Sequence, residues 1–167
     1  MSTTFGGMGR RALGDPSLVS YYYCSEILLT TGDVVSPGRW GQTVLATGPD
    51  HHFYYRELVW EQVRATEFPS RPSRMACAFA FQSEASALTW AESGERIYAV
   101  SVGPESPAFM ADMTWITVAR QNHAFADVLE IVRRYWRGEV SDDPTVELLV
   151  AGDLKINREV TAPDPSA

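Results

Sequence analysis

The stretch RPSRMACAFAFQSEASALTWAE, Arg71 to Glu92, decides the fold because two periodicities meet inside it. Met75 to Phe81 is a short apolar run of the kind that forms a buried strand. From Ser83 the pattern changes to that of a helix. Ser83 can cap its start, Glu84 falls in the positive first turn, and Ala85, Ala87, Leu88 and Ala91 offer small apolar positions for close packing on a sheet. Ahead of the strand stand Ser73 and Arg74. They can be its polar approach, or Arg74 can bridge to an acid, or the pair can clamp a diphosphate, since a guanidinium presents a fork of donors that matches phosphate oxygens.

The same alternation of strand and helix extends to both sides. LVSYYYCSEIL (Leu18 to Leu28) is aromatic and β-branched and reads as a strand, on which one of Tyr21, Tyr22 and Tyr23 must point opposite to its neighbours. TTGDVVSPGRWGQ reads as a flexible loop around Arg39 and Trp40 that can approach a ligand closely. Tyr54 to Thr66 predicts an amphipathic helix with Leu58, Val59 and Val63 on one side and Arg56, Glu57, Glu61 and Arg64 largely elsewhere. RIYAVSV (Arg96 to Val102) predicts a strand, and AFMADMTWITVA is apolar but interrupted by Asp112, so its state stays open. HAFADVLEIVRRYWRGE repeats apolar residues at Phe125, Val128, Leu129, Val132 and Tyr135 or Trp136, with Gly138 as a C-terminal stop. TVELLVAGDLKINREV divides at Gly152-Asp153 into two strand-like runs, expected as a hairpin. This order places the chain in the mixed α+β class. A single domain is expected over 16–161, between loose tails at 1–15 and 162–167.

With 45% hydrophobic and 21% charged residues, the chain has the composition of a folded domain rather than a disordered one. A net charge of -7 argues against an extended nucleic-acid-binding surface. No apolar run reaches the roughly 18 to 20 residues of a membrane span, and the N-terminal arginines precede no signal-peptide core, so a cytoplasmic protein is expected. Cys24 and Cys77 sit in apolar surroundings as buried thiols or as a disulfide. The histidines His51, His52 and His123 have no metal-ligand spacing, so no metal is expected.

Two acids stand where core residues would normally be. Asp112 lies inside FMADMTWI, and Glu147 follows Val146 and precedes Leu-Leu-Val. A carboxylate so placed needs a partner, and perturbed acids cluster where chemistry occurs. The alternatives are a turn or helix cap for Asp112 and an outward position on an alternating strand for Glu147. Arg39 is a second candidate cation for phosphate, and whichever tyrosine of the first strand points apart from its neighbours is a candidate to stack on a planar ring.

YYYCSEILLTTGDVVSPG, FAFQSEASALTWA and RIYAVSV together resemble the ADP-ribosyltransferase superfamily, in detail an uncharacterised bacterial domain-of-unknown-function group of that kind, with local likeness to rifampin ADP-ribosyltransferase over roughly Leu18 to Asp112. VELLVAGDLKI resembles closing strands of other superfamily members. The resemblance implies an ADP-ribosyltransferase-like split β-sheet with flanking helices, gripping NAD as substrate, without metal. It implies cleavage of the nicotinamide–ribose bond and transfer to an unknown macromolecular or small-molecule acceptor, or hydrolysis. On it, Glu147 or Asp112 is the catalytic acid, and Tyr23, Arg39, Ser73 and Arg74 bind NAD. Tyr23 stands where the family has a His, and Ala80 where the rifampin enzyme has a Tyr. The other function class is a catalytically inactive protein that keeps the fold to bind a partner in bacterial or phage conflict.

Overall fold

A computed structural model describes residues 20–119 and 123–160, so the tails expected at 1–15 and 162–167 lie outside the described residues. The strands are β1 (Tyr21–Ser25), β2 (Val34–Val35), β3 (Ala78–Phe81), β4 (Arg96–Val102), β5 (Ala108–Asp112), β6 (Val146–Val150) and β7 (Leu154–Val160). The helices are α1 (Arg39–Thr47), α2 (Tyr54–Glu67), α3 (Glu84–Trp90), α4 (Thr114–Val118) and α5 (Phe125–Arg137), with 3-10 turns at Gly48–Asp50 and Arg74–Ala76. All strand pairs are antiparallel in one seven-stranded sheet of order β2-β7-β4-β1-β3-β6-β5, a mixed α+β architecture.

The opening stretch behaves as its periodicities dictate, with one shift. Ser83 caps α3 by accepting from the Ser86 amide at 3.1 Å. The strand begins later than Met75, because Ser73 caps a 3-10 turn over Arg74–Ala76 before β3 starts at Ala78. In the loop expected around Arg39, the chain instead forms α1. Gly41 lies within that helix because a Cβ there would come 2.0 Å from the Met75 carbonyl oxygen, so only glycine lets α1 lie against the 3-10 turn.

The hairpin expected at Gly152-Asp153 does not form. β6 pairs with β3 and β5, whereas β7 pairs with β2 and β4, four strand spacings away in the sheet. In a flat sheet that separation is roughly 19 Å, yet the link from Val150 to Leu154 spans at most about 14 Å. The sheet must therefore curl until its two halves face each other. The burial pattern agrees: Ala78, Ala80, Tyr98, Val100, Leu148, Val150, Leu154 and Ile156 form one buried cluster, joined by Tyr21, Tyr23, Leu29, Val35 and Val102. Every member belongs to a strand or to the β1–β2 loop, so the inner face covers itself rather than taking a helix. The ladder is thinnest between β1 and β3, where the register holds only Tyr22↔Phe81, and the β4–β7 ladder shifts register between Ala99 and Val100, with Asn157 the extra residue on β7.

The other face carries the helices in two groups. α3 lies over β1 and β4, packing Ala87 and Ala91 with Tyr22, Cys24, Ile97 and Ala99. α2, α4 and α5 cover the β3–β6–β5 half, where Trp60, Val63, Ile116, Val132, Tyr135 and Trp136 meet Phe109, Ala111 and Leu149. Tyr23 thus points inward while Tyr22 points to α3. One helix face is rotated from expectation: α2 buries Glu57, Trp60 and Val63 and leaves Leu58 38% exposed. α5 packs Val128, Leu129, Val132, Tyr135 and Trp136 as expected, and only Phe125 at its start is exposed. No helix among the described residues is long and apolar enough to cross a membrane.

Candidate functional site

Between the two helical groups, β3 and β6 form the floor of a cleft of ≈ 850 Å³. β3 contributes Phe79 and Phe81, α2 contributes Tyr55 and Arg56, and α3 ends there with Trp90 and Glu92 beyond it. Arg74 and Glu147 lie at its base, 5% and 2% exposed. Glu147 is placed there by register: on β6 it faces Phe81 of β3 and Ala111 of β5, which puts it on the helix-covered face.

Arg74 holds the centre of a buried network. Its Nε donates to Glu57 at 3.1 Å, and one terminal nitrogen donates to the Tyr135 hydroxyl at 2.6 Å and to Glu147 Oε1. The Tyr135 hydroxyl in turn donates to Glu147 Oε1 at 2.7 Å, and Arg56 donates to Glu57 at 2.8 Å. Arg56 also stacks 3.8 Å over the Phe53 ring. Two guanidiniums therefore balance two carboxylates, the arrangement that makes burial of such charge tolerable. Burial alone would lower the Arg74 pKa, but Glu147, Tyr135 and Glu57 hold it well above its ordinary value. Burial also works to raise Glu57, and the guanidiniums of Arg74 and Arg56 outweigh it, leaving the carboxyl below its usual range. Burial pushes the Tyr135 hydroxyl well above the usual phenol range, so it remains a donor. Both bonds to Glu147 fall on Oε1, which leaves Oε2 for whatever enters the cleft.

A second recess adjoins the first, sharing Trp40 and Phe79 with it. Its two lobes, ≈ 200 Å³ and ≈ 350 Å³, share Tyr23, Val35, Ser36 and Arg39. It lies at the thin β1–β3 seam, with Tyr23 on one side and Cys77, Ala78 and Phe79 on the other. Gly38 adopts φ 86 and donates to the Cys77 carbonyl at 3.0 Å, which fixes the start of α1 against β3. The first intrahelical bond runs from Gln42 to Gly38, so the Arg39, Trp40 and Gly41 amides precede it. Arg39 is exposed and has no carboxylate partner among the described residues. Burial pushes the Tyr23 hydroxyl up, against the opposing pull of Arg39.

The sequence candidates therefore fall into three places. Tyr23 and Arg39 share the recess, and Arg74 and Glu147 share the base of the larger cleft. Ser73 and Asp112 line neither. Ser73 accepts from the Met75 amide at 3.2 Å and donates to Glu61 at 2.8 Å, so it is a cap. Asp112 accepts from the amides of Thr114, Ser141 and Thr145 at 2.9, 2.8 and 3.1 Å and ties two loops together. Burial works to raise its carboxyl, and the bonds from Ser141 and Thr114 prevail and lower it. Arg74 is engaged as the centre of an ion-pair network, with Nε on Glu57 and one terminal nitrogen on Tyr135 and Glu147.

Sequence reasoning missed Glu57, Arg56 and Tyr135. The spacing of Glu57, Trp60 and Val63 at i, i+3 and i+6 is the signal that one carboxylate shares a face with a tryptophan. Cys24 and Cys77 are free thiols, and burial pushes them up to about 11 and about 12.

No curated protein matches the chain. The buried network lies within 42–162, whereas Tyr23 and Arg39 lie before it. Over those residues, 42–162, the sequence matches the family described as Protein of unknown function (DUF2441), and the chain belongs to that family.

Proposed function

We propose that the protein is an NAD-dependent mono-ADP-ribosyltransferase, or an NAD glycohydrolase, with the split-sheet fold of that superfamily. The observation that carries this reading is the junction of the two hollows: an acid anchored through one oxygen lies at the base of one, and in the other lies a guanidinium with no carboxylate partner among the described residues, at the start of α1 ahead of its first intrahelical bond. The thin β1–β3 ladder at that junction supports the split-sheet assignment.

The residues present fit NAD by the chemistry of their donors. Arg39, the Ser36 hydroxyl and the first amides of α1 would hold the diphosphate, and Tyr23, Trp40 and Phe79 offer flat surfaces to its rings. NAD supplies a positively charged leaving group, nicotinamide, which departs with the electron pair of its ribosyl bond. Glu147 Oε2 would accept from a ribose hydroxyl and stabilise positive charge developing at the ribosyl carbon, while Arg74 and Tyr135 fix Oε1 so that little reorganisation is needed. The acceptor or water attacks that carbon, and its proton goes to solvent.

The test is calorimetry with NAD together with nicotinamide release by native protein and by Glu147→Gln, each checked for folding by circular dichroism. The expected result is saturable NAD binding by both and release by native protein alone. Absence of NAD binding, or release by Glu147→Gln at the native rate, overturns the reading. A second reading, binding without turnover, is favoured by the ion pair that already engages Glu147. It predicts no nicotinamide release by native protein.

A further inference from the structure

We infer that the ≈ 850 Å³ cleft is a binding site for a flat aromatic cation, a small organic molecule carrying an amine or amidine on a ring system. Its volume lies in the range of small-molecule sites, about 300 to 1,000 Å³. Trp40, Phe79, Phe81 and Trp90 are half-buried, so each retains exposed surface to offer a ring, whereas Phe53 already carries the Arg56 guanidinium on its face.

The charge follows from accounting for each ionised group in the lining. Arg56 and Arg74 are the cations, and Glu57 and Glu147 neutralise them within the protein. Glu92 makes no ion pair among the described residues. The net sign offered to a ligand is therefore negative and comes from Glu92, while the second oxygen of Glu147, whose charge Arg74 balances, offers an acceptor at the base. Aromatic faces beside carboxylates attract organic cations through the ring quadrupole and directly by charge. An anionic ligand would have to compete with Glu57 and Glu147 for these two guanidiniums.

Resting on the transferase reading, such a cation is the acceptor, held beside Glu147 in the cleft that meets the Arg39 recess at Trp40 and Phe79. Binding itself is tested without NAD. The probes are proflavine, a three-ring diamino cation, and 9-anthracenecarboxylate, an anion of the same ring size, titrated calorimetrically against native protein, Trp90→Ala and Glu92→Gln. Proflavine should saturate one site and bind at least tenfold more tightly than the anion. Its affinity should fall about tenfold in Trp90→Ala and about threefold in Glu92→Gln. Glu92 is exposed, so that variant keeps the test valid if Trp90→Ala fails to fold. Equal or tighter binding of the anion, no binding of proflavine, or affinity unchanged in the folded variants overturns the inference. A separate NAD titration keeps the two readings apart: proflavine binding without NAD binding removes the transferase and leaves the aromatic site, and the reverse removes the aromatic site alone.

Discussion

Replacing Arg74 with methionine keeps most of the side-chain volume and removes the charge at the centre of the buried network. Arg74 is 5% exposed, and Glu57 and Glu147 are 1% and 2% exposed, so solvent cannot take over its role. In Arg74→Met, Glu57 keeps Arg56 at 2.8 Å, while Glu147 keeps only the Tyr135 hydroxyl at 2.7 Å. Removing one member of a buried pair costs about 3 to 5 kcal/mol, mostly through the charge left behind. Because one of the two carboxylates retains a cation, the expected loss is about 4 kcal/mol, and at this chain length a fall in Tm of about 10 °C. The assay is urea unfolding followed by tryptophan fluorescence and far-ultraviolet circular dichroism. If the cost arises from the stranded carboxylate, adding Glu147→Leu should recover about 2 kcal/mol, so that the double variant is much less destabilised than the sum of the singles. A loss below about 1 kcal/mol in Arg74→Met, or simple additivity in the cycle, would refute the argument.

Gly41→Ala should destabilise the protein although alanine is the better helix former by about 1 kcal/mol, because its Cβ would meet the Met75 carbonyl oxygen at 2.0 Å and backbone must move. The expected cost is about 1 to 3 kcal/mol, read from the urea midpoint, and a variant as stable as native protein would contradict it. Asp112→Asn should cost about 2 kcal/mol at neutral pH, since an amide cannot accept from all three loop amides that the carboxylate serves. The folded carboxyl titrates below its ordinary value, so its contribution is present above the unfolded pKa of about 4 and is lost as pH falls toward the folded one. Stability measured from pH 7 downward should therefore fall more steeply below about pH 4 in native protein than in Asp112→Asn, and parallel acid limbs would refute the assignment.

Elements with one unambiguous period were readable from the residues alone. β4 occupies Arg96–Val102 as expected, α2 begins at Tyr54, and Gly138 ends α5 in the left-handed conformation, φ 75. α1 was hidden because RWGQTVLAT starts between Pro37-Gly38 and Gly41, residues that signal a loop, and the reason for Gly41 lies across space at Met75. The β6–β7 hairpin was expected because Gly152-Asp153 resembles a tight turn. Local turn chemistry says that the chain changes direction but not which strand it joins next. Gly152 is there for a different reason, since a Cβ would come 2.4 Å from Ser106 Oγ. AFMADMTWITVA stayed ambiguous because the chain changes state within it, with Asp112 closing β5 and tying down the loop before α4.

The same limit governs the site. Arg74 and Glu147 could be singled out because each is an ionised group beside an apolar run, and their convergence depends on the β3–β6 register, which pairs Phe81 with Glu147. Glu57 and Tyr135 reach them from α2 and α5, 17 and 61 residues from Arg74. No local window contains that geometry. What the window does contain is a cost without a partner: a carboxylate at the spacing of Trp60 and Val63 must be buried, and a buried carboxylate requires a cation. Of the arginines near the cleft, Arg56 is adjacent to Glu57, while Arg74 follows Ser73, whose cap turns the chain at the start of β3. A search for a cation to satisfy Glu57 and Glu147 together would thus have reached Arg74 as a neutralised structural centre. It would also have left Arg39, exposed on α1 with no carboxylate partner among the described residues, as the guanidinium available to a phosphate.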